Sequence, residues 1–289
     1  MRSVVAGIEI GAPAAAVWTA LTTPVELERW FPLQARVDPG VGGRIWLSWG
    51  EPIVSDARIE AWDACRRLRS VEIKPLGAKL HPQDGPAPPG RTIEYVLEPD
   101  DPRTRVRLTH SGFPSEPEWD GTYDAVRRGW QFQLRSLRHY LERHRGSARR
   151  AVLIRRTFAL RPEDVWTVIM GPECVGVQGR APGLKEGDPY SARAATGDVF
   201  EGAVQICDPP HQWAATATNL NDALFRITIV SLGPVRTEAS LWLAAYGLPP
   251  AEVASFERSW TDLLDERVRS FTPGAADTPT DDPSCRTAS

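Results

Sequence analysis

Lysine is almost missing from this chain: of 34 basic residues only Lys74, Lys79 and Lys185 are lysines. With abundant Ala, Gly and Pro, that bias points to GC-rich coding rather than to a physical demand. A formal net charge of −3 provides no basic field for a phosphate backbone, so no nucleic-acid partner is expected. Cysteine is scarce and scattered. Cys65, Cys174, Cys207 and Cys285 show no CxxC spacing, which argues against a zinc site and a disulfide framework, and no metal or cofactor is expected. No window approaches ~18 apolar residues, and Met1 to Ile10 lacks the charged and apolar regions of a leader, so neither a membrane span nor secretion is indicated. The expectation is a reduced, cytoplasmic, soluble protein. Gly-rich phosphate loops, HExxH and GxSxG are absent too, so no familiar nucleophile or metal chemistry announces itself.

What is present is organised around one stretch, Glu118 to Arg145. Its apolar residues Trp119, Tyr123, Val126, Trp130, Leu134, Leu137 and Leu141 recur at spacings of three and four, the stripe of an amphipathic helix. Arg127, Arg128, Arg135, Arg138 and Glu142 occupy the other face, which predicts burial on one side only. Ser115 and Glu118 fit a capping box, and Gly146 a stop. Upstream, Val4–Ile10 reads as a strand and Pro13–Leu21 and Pro24–Trp30 as short helices. Arg36–Asp38, Arg44–Trp49, Val54–Asp63, Leu68–Lys74, Arg91–Glu98 and Thr104–Ser111 follow as strands with mostly short connections, hence an antiparallel sheet. The exception is the proline-rich loop Pro75 to Gly90, either a flap over an opening or a solvated insertion.

The second half repeats the first. Placing Phe158 on Ile10 brings Val165-Trp166-Thr167 onto Val17-Trp18-Thr19 and Pro172 onto Pro24 without a gap. Later, Gly202 to Trp213 falls on Ala57 to Leu68, Arg236-Thr237 on Arg103-Thr104, and Trp260 with Leu264 on Trp130 with Leu134. A tandem duplication follows, with domains at 1–146 and 147–271 and a Pro, Asp, Thr and Ser tail at 272–289 that cannot bury a core.

Val17-Trp18-Thr19-Ala20-Leu21, Trp30-Phe31, Gly42-Gly43-Arg44, Leu108 to Phe113 and Gly129-Trp130 carry a family resemblance. The chain resembles the helix-grip domains related to the Hsp90 ATPase activator, within the START/Bet v1-like (SRPBCC) superfamily that also holds polyketide cyclases and aromatases. The second half departs from the pattern: Val177-Gln178 stands where the first half has Trp30-Phe31, and Gly176 to Gly187 is glycine-rich. The resemblance implies an α+β fold of two tandem helix-grip domains, each a curved antiparallel sheet around a long C-terminal helix with two short helices. It also implies an apolar cavity between sheet and helix.

Alternation then puts Ile45, Leu47, Trp49, Ile93, Tyr95, Leu97, Val106, Leu108 and His110 on the concave side. The expected ligand-binding residues are Trp30, Phe31, Leu47, Trp49, Tyr95, His110, Trp119, Tyr123 and Trp130, with Trp213, Phe256 and Trp260 in the second half. Aliphatic residues at such positions more often simply pack as core, whereas a small interior full of rings is hard to close completely. Of five histidines only His110 falls on an inward strand position, where it could act as base or hydrogen-bond a ligand. Asp56 and Glu94 are on the outward phase, so no acid/base pair is evident. The favoured expectation is binding of a hydrophobic, elongated polyketide or polyene-like small molecule in secondary-metabolite biosynthesis, carriage or self-resistance. The alternative is a cyclase or aromatase-type enzyme using the same cavity. Co-chaperone action is disfavoured, since the partner-recruiting N-terminal portion of the eukaryotic activators has no counterpart. The short joint at Gly146 to Arg150 predicts docked domains, with cavities opening towards each other as one long site.

Overall fold

Alternating inward and outward residues build the first sheet of the computed structural model, which describes residues 1–50, 53–74, 90–178 and 184–271. Most of the loop expected at 75–90, the tail at 272–289, and part of the 176–187 stretch lie outside the described residues. The first unit comprises β1 (Arg2–Ile10), α1 (Ala14–Thr22), α2 (Pro24–Leu27), β2 (Gln34–Val37), β3 (Arg44–Ser48), β4 (Val54–Asp63), β5 (Arg67–Lys74), β6 (Thr92–Asp100), β7 (Arg103–Phe113) and the long helix α3 (Asp120–Arg143). The second comprises β8 (Arg149–Phe158), α4 (Pro162–Met170), β9 (Val177–Gln178), β10 (Pro189–Arg193), β11 (Val199–Asp208), β12 (Gln212–Ala217), β13 (Ala223–Gly233), β14 (Arg236–Tyr246) and α5 (Pro250–Phe271).

The two seven-stranded antiparallel sheets have the same strand order, β1-β7-β6-β5-β4-β3-β2 and β8-β14-β13-β12-β11-β10-β9. The duplication extends to details. The register slips between Ile59 and Ala61 in β4 and between Val204 and Ile206 in β11, two places that coincide when the halves are superposed in sequence. Such bulges bend a strand and help a sheet curl. Thr104 donates its hydroxyl to the Ala12 carbonyl at 2.8 Å, and Thr237 does the same to Leu160 at 2.7 Å. After α4 the copies part: a turn at 171–175 stands where the first unit has α2.

At its N-terminus α3 starts later than the sequence predicts. Pro117–Trp119 form a separate 3₁₀ turn, no side chain caps α3, and Ser115 Oγ instead accepts from the N-terminal amine at 2.9 Å. The capping box is therefore not formed. Leu134, Leu137 and Leu141 are buried in the first unit's core, each fully buried side chain contributing about 1.5–3 kcal/mol.

The expectation of a helix buried on one side fails. The second sheet lays its outer face across the arginine side of α3, so that Ile206, Ala214, Leu224, Ala244 and Tyr246 join the first unit's core. Arg128 pairs with Asp208 at 3.1 Å, and Arg135 and Arg138 with Glu186. Gln212 Nε2 donates to Gln131 Oε1 at 3.1 Å, and His139 donates to the Asp222 carbonyl at 2.7 Å. Tyr246 stacks on His144, ring centroids 4.1 Å apart, and its hydroxyl donates to the Arg29 carbonyl at 2.7 Å. Burial raises the Tyr246 phenol and lowers both histidines, which are neutral at this seam.

This arrangement also overturns the expected joining of two cavities. Residues of the second sheet that touch the first unit alternate with those facing α5, so the second interior lies on the far side of its own sheet. That interior is packed by rings: Phe200, Phe225, Phe256 and Trp260 lie with centroids 5.1–6.5 Å apart, and Trp213 meets Tyr190 at 5.0 Å.

Candidate functional site

Between the first sheet and α3 lies a cavity of about 280 Å³, just below the roughly 300–1,000 Å³ usual for small-molecule pockets. Its walls are mostly apolar. The helical end contributes Leu21, Leu27 and Phe31, the strands Ile45, Leu47, Trp49, Ala57, Leu68, Ile93 and Tyr95, and α3 supplies Ala125, Val126, Gly129, Trp130 and Gln133.

Of the expected residues, Phe31, Leu47, Trp49, Tyr95, His110 and Trp130 line this cavity. Trp30 does not: it is 1% exposed, stacked on Phe31 at 4.8 Å, and donates Nε1–H to the Ala20 carbonyl at 2.9 Å, so it anchors the helical cap. Trp119 sits in the 3₁₀ turn ahead of α3. Tyr123 packs edge-on against Phe113 and donates to the Ser3 carbonyl at 3.1 Å. The helix face towards the cavity is thus 125-126-129-130-133, rotated by about a residue from the stripe of largest apolar side chains. Small residues make the room, and a search for bulk passes over them. Trp213, Phe256 and Trp260 lie in the packed second interior. Trp260 donates to Asp198 Oδ2 at 2.8 Å, so its hydrogen-bond partner differs in kind from that of Trp130.

Gly129 is the clearest of these small residues. A Cβ built there meets nothing within 4 Å, while glycine inside a helix costs about 1 kcal/mol relative to alanine. Gly129→Ala is therefore expected to raise stability by roughly 0.5–1 kcal/mol, read as a higher midpoint in urea unfolding. A loss of stability would mean that the space is not there.

The polar end of the cavity was not anticipated. β5 carries Leu68, Ser70 and Glu72 inward, and Glu72 is 5% exposed. Arg91, just before β6 and 2% exposed, places Nε 2.7 Å from Glu72 Oε2. The two segments are locked by Glu72 N–H donating to the Arg91 carbonyl at 2.8 Å. Gly112 permits this approach: its φ is +94°, and a Cβ there would sit 3.0 Å from Arg91 Cα. The Arg91 guanidinium lies over the Phe113 ring at 5.2 Å. The outward phase of Asp56 and Glu94 left no acid/base pair evident in the sequence, and Glu72 beside His110 corrects that reading. A signal did exist, because Glu72 shares the phase of Leu68, but charge is ordinarily read as solvent-facing.

His110 closes the cluster. Trp130 Nε1–H, which can only donate, points at His110 Nδ1 at 3.0 Å, so that nitrogen bears no proton and Nε2 carries it. Nε2 faces Glu72 Oε2 at 3.5 Å. Burial holds the imidazole below its ordinary value, against the opposing pull of Glu72, so the ring is neutral at pH 7. In this state His110 has no free lone pair to act as a base. Tyr95, whose phenol burial raises, also lines the wall, and no group among the described residues hydrogen-bonds its hydroxyl.

Comparison with known proteins places these features in context. The profile of the family described as "Activator of Hsp90 ATPase homolog 1-like protein" matches residues 11–142. No curated protein matches the chain. Among solved structures, the di-domain ARO/CYC BexL from the BE-7585A biosynthetic pathway is 18% identical, with 94% of this chain and 97% of that one covered and a TM-score of 0.43. DynU16, from the dynemicin biosynthetic locus, is 16% identical over 94% and 100% of the two chains, at a TM-score of 0.41. The Aha1 dimer protein of Colwellia psychrerythraea is 21% identical over 50% of this chain and all of its own, at 0.41.

Proposed function

We propose that the first unit, whose residues 11–142 match the Hsp90 ATPase activator homolog 1-like family model, binds a hydrophobic small molecule. The class we infer is a compact, polyketide-like molecule, held for carriage, sequestration or self-protection in secondary metabolism. One observation carries the reading: an aromatic-walled cavity whose inner polar cluster is already committed to itself. Glu72 is held by Arg91, and His110 by Trp130. Such a wall recognises a ligand without needing to react with it.

A cavity of about 280 Å³ fits a compact ring system or a folded chain better than the elongated molecule expected from the sequence. Among the described residues no helix is long and apolar enough to cross a membrane, and a cytoplasmic setting belongs to the same proposal. A cyclase or aromatase-type reaction is the second reading, favoured by the buried carboxylate of Glu72 on the cavity wall. His110 is the weaker candidate for its base, because its lone pair is occupied.

Fluorescence titration with phenylnaphthylamine, an uncharged aromatic probe, tests the binding reading. Saturable one-to-one binding is expected, weakened by about tenfold or more in Gly129→Leu, whose side chain would occupy the ligand's space. Absence of saturable binding, or a Gly129→Leu variant that binds as well as the parent, would defeat it.

A further inference from the structure

Two cations in the cavity wall do not come from the domain that owns the cavity. Arg226 on β13 and Arg155 on β8 line it from the outer face of the second sheet, across the seam from Gly129 and Gln133. Arg226 stands on Phe132 of α3, its guanidinium carbon 4.4 Å from the ring centroid, and donates Nη2–H to Gln212 Oε1 at 2.9 Å. Both partners are neutral. Its buried Nε–H has no acceptor, and neither Arg226 nor Arg155 has a carboxylate within ion-pair distance among the described residues. Desolvation pulls the Arg226 guanidinium down to about 9, with no acidic neighbour to offset it.

The other charges in this wall cancel. Glu72 is matched by Arg91, and His110 is neutral, so the cavity retains two uncompensated positive charges at the end supplied by the second unit. A buried cation without a counter-charge is costly, and retention of one beside an apolar cavity makes sense if a bound molecule supplies the missing anion.

We infer that the second unit completes the binding site of the first, and that Arg226 with Arg155 receives the anionic group, a carboxylate or phenolate, of an otherwise hydrophobic ligand. The inference rests on the cavity-binding reading and sharpens it to amphipathic anions. It also gives the tandem a physical purpose, since the second unit has a packed interior of its own and contributes to binding through the back of its sheet.

The test uses the full chain and two probes that differ by one anionic group: anilinonaphthalene sulfonate and its sulfonate-free parent, phenylnaphthylamine. The anion is expected to bind tighter by about ten- to a hundredfold, the range of a charge-assisted hydrogen bond. Arg226→Gln and Arg155→Gln, separately and together, should remove most of that preference, lowering the anionic probe's affinity by far more than the neutral probe's. Arg226→Lys should keep most of it. Saturable binding of the neutral probe also shows that each variant is folded, and Arg155→Gln serves if Arg226→Gln is not. Equal binding of the two probes by the parent protein, or arginine variants that weaken both alike, would overturn the inference while leaving the cavity reading standing. If neither probe binds, both fall.

Discussion

Glu72→Ala is expected to be among the most damaging single substitutions in the first unit, at about 3–5 kcal/mol, the usual cost of removing one partner from a buried ion pair. Alanine would leave the Arg91 guanidinium, itself 2% exposed, without its nearest carboxylate and the His110 Nε2–H without the oxygen it faces. Replacing Glu72 and Arg91 together by methionine should recover much of the loss, because two apolar side chains leave no isolated charge behind. Denaturant midpoints of the single and double variants give the comparison directly. A loss under about 1 kcal/mol in Glu72→Ala would place the carboxylate in a solvated setting comparable to a surface pair, contrary to the burial described above.

Trp130 is expected to show two separable effects. Trp130→Ala should cost about 3–5 kcal/mol, since the ring is 7% exposed and lies 5.6–6.0 Å from Phe31, Tyr95 and His110. Trp130→Phe keeps most of that packing and removes the N–H, for a loss nearer 1–2 kcal/mol. The diagnostic is His110. An N–H donated to Nδ1 stabilises neutral imidazole alone, so its removal should move the His110 titration upwards towards the ordinary histidine value. Because the folded-state value is depressed, His110 contributes stability above the ordinary histidine range and loses it as pH falls below about 6.5. In Trp130→Phe that acid-side loss should become shallower. NMR titration of the imidazole protons reads the shift, and an unchanged His110 would mean that the hydrogen bond is not made in solution.

Much of this architecture is legible in the chain because local periodicity is a physical consequence of burying one face. Two-residue alternation put Leu47, Tyr95 and His110 on one surface, and the structure keeps them there. Gap-free spacing around Trp18 and Trp166 predicted a repeat, and the shared strand order and matching Thr104 and Thr237 hydrogen bonds reproduce it. Where the reading went astray, the residue's usual habit pointed the wrong way. Arginines on α3 read as a solvated face, yet Arg128, Arg135 and Arg138 meet acids of the second unit. Tyr123 and Trp119 read as cavity wall because they are large, yet Ala125 and Gly129 form it because they are small.

Periodicity determined the first sheet, the first long helix and one inward histidine, each of which depends only on neighbours a few positions away along the chain, and the internal repeat extended the sheet and helix to the second half. It left undecided whether α3 is covered on a second face, whether a glutamate on the inward phase finds a cation, and whether the second interior is open or packed. Those depend on groups far apart in sequence: Glu72 with Arg91 and His110, and Gly129 with Arg226. Tertiary docking decided them, because the cost of burying a charge depends on which charge of the opposite sign, if any, is brought within reach.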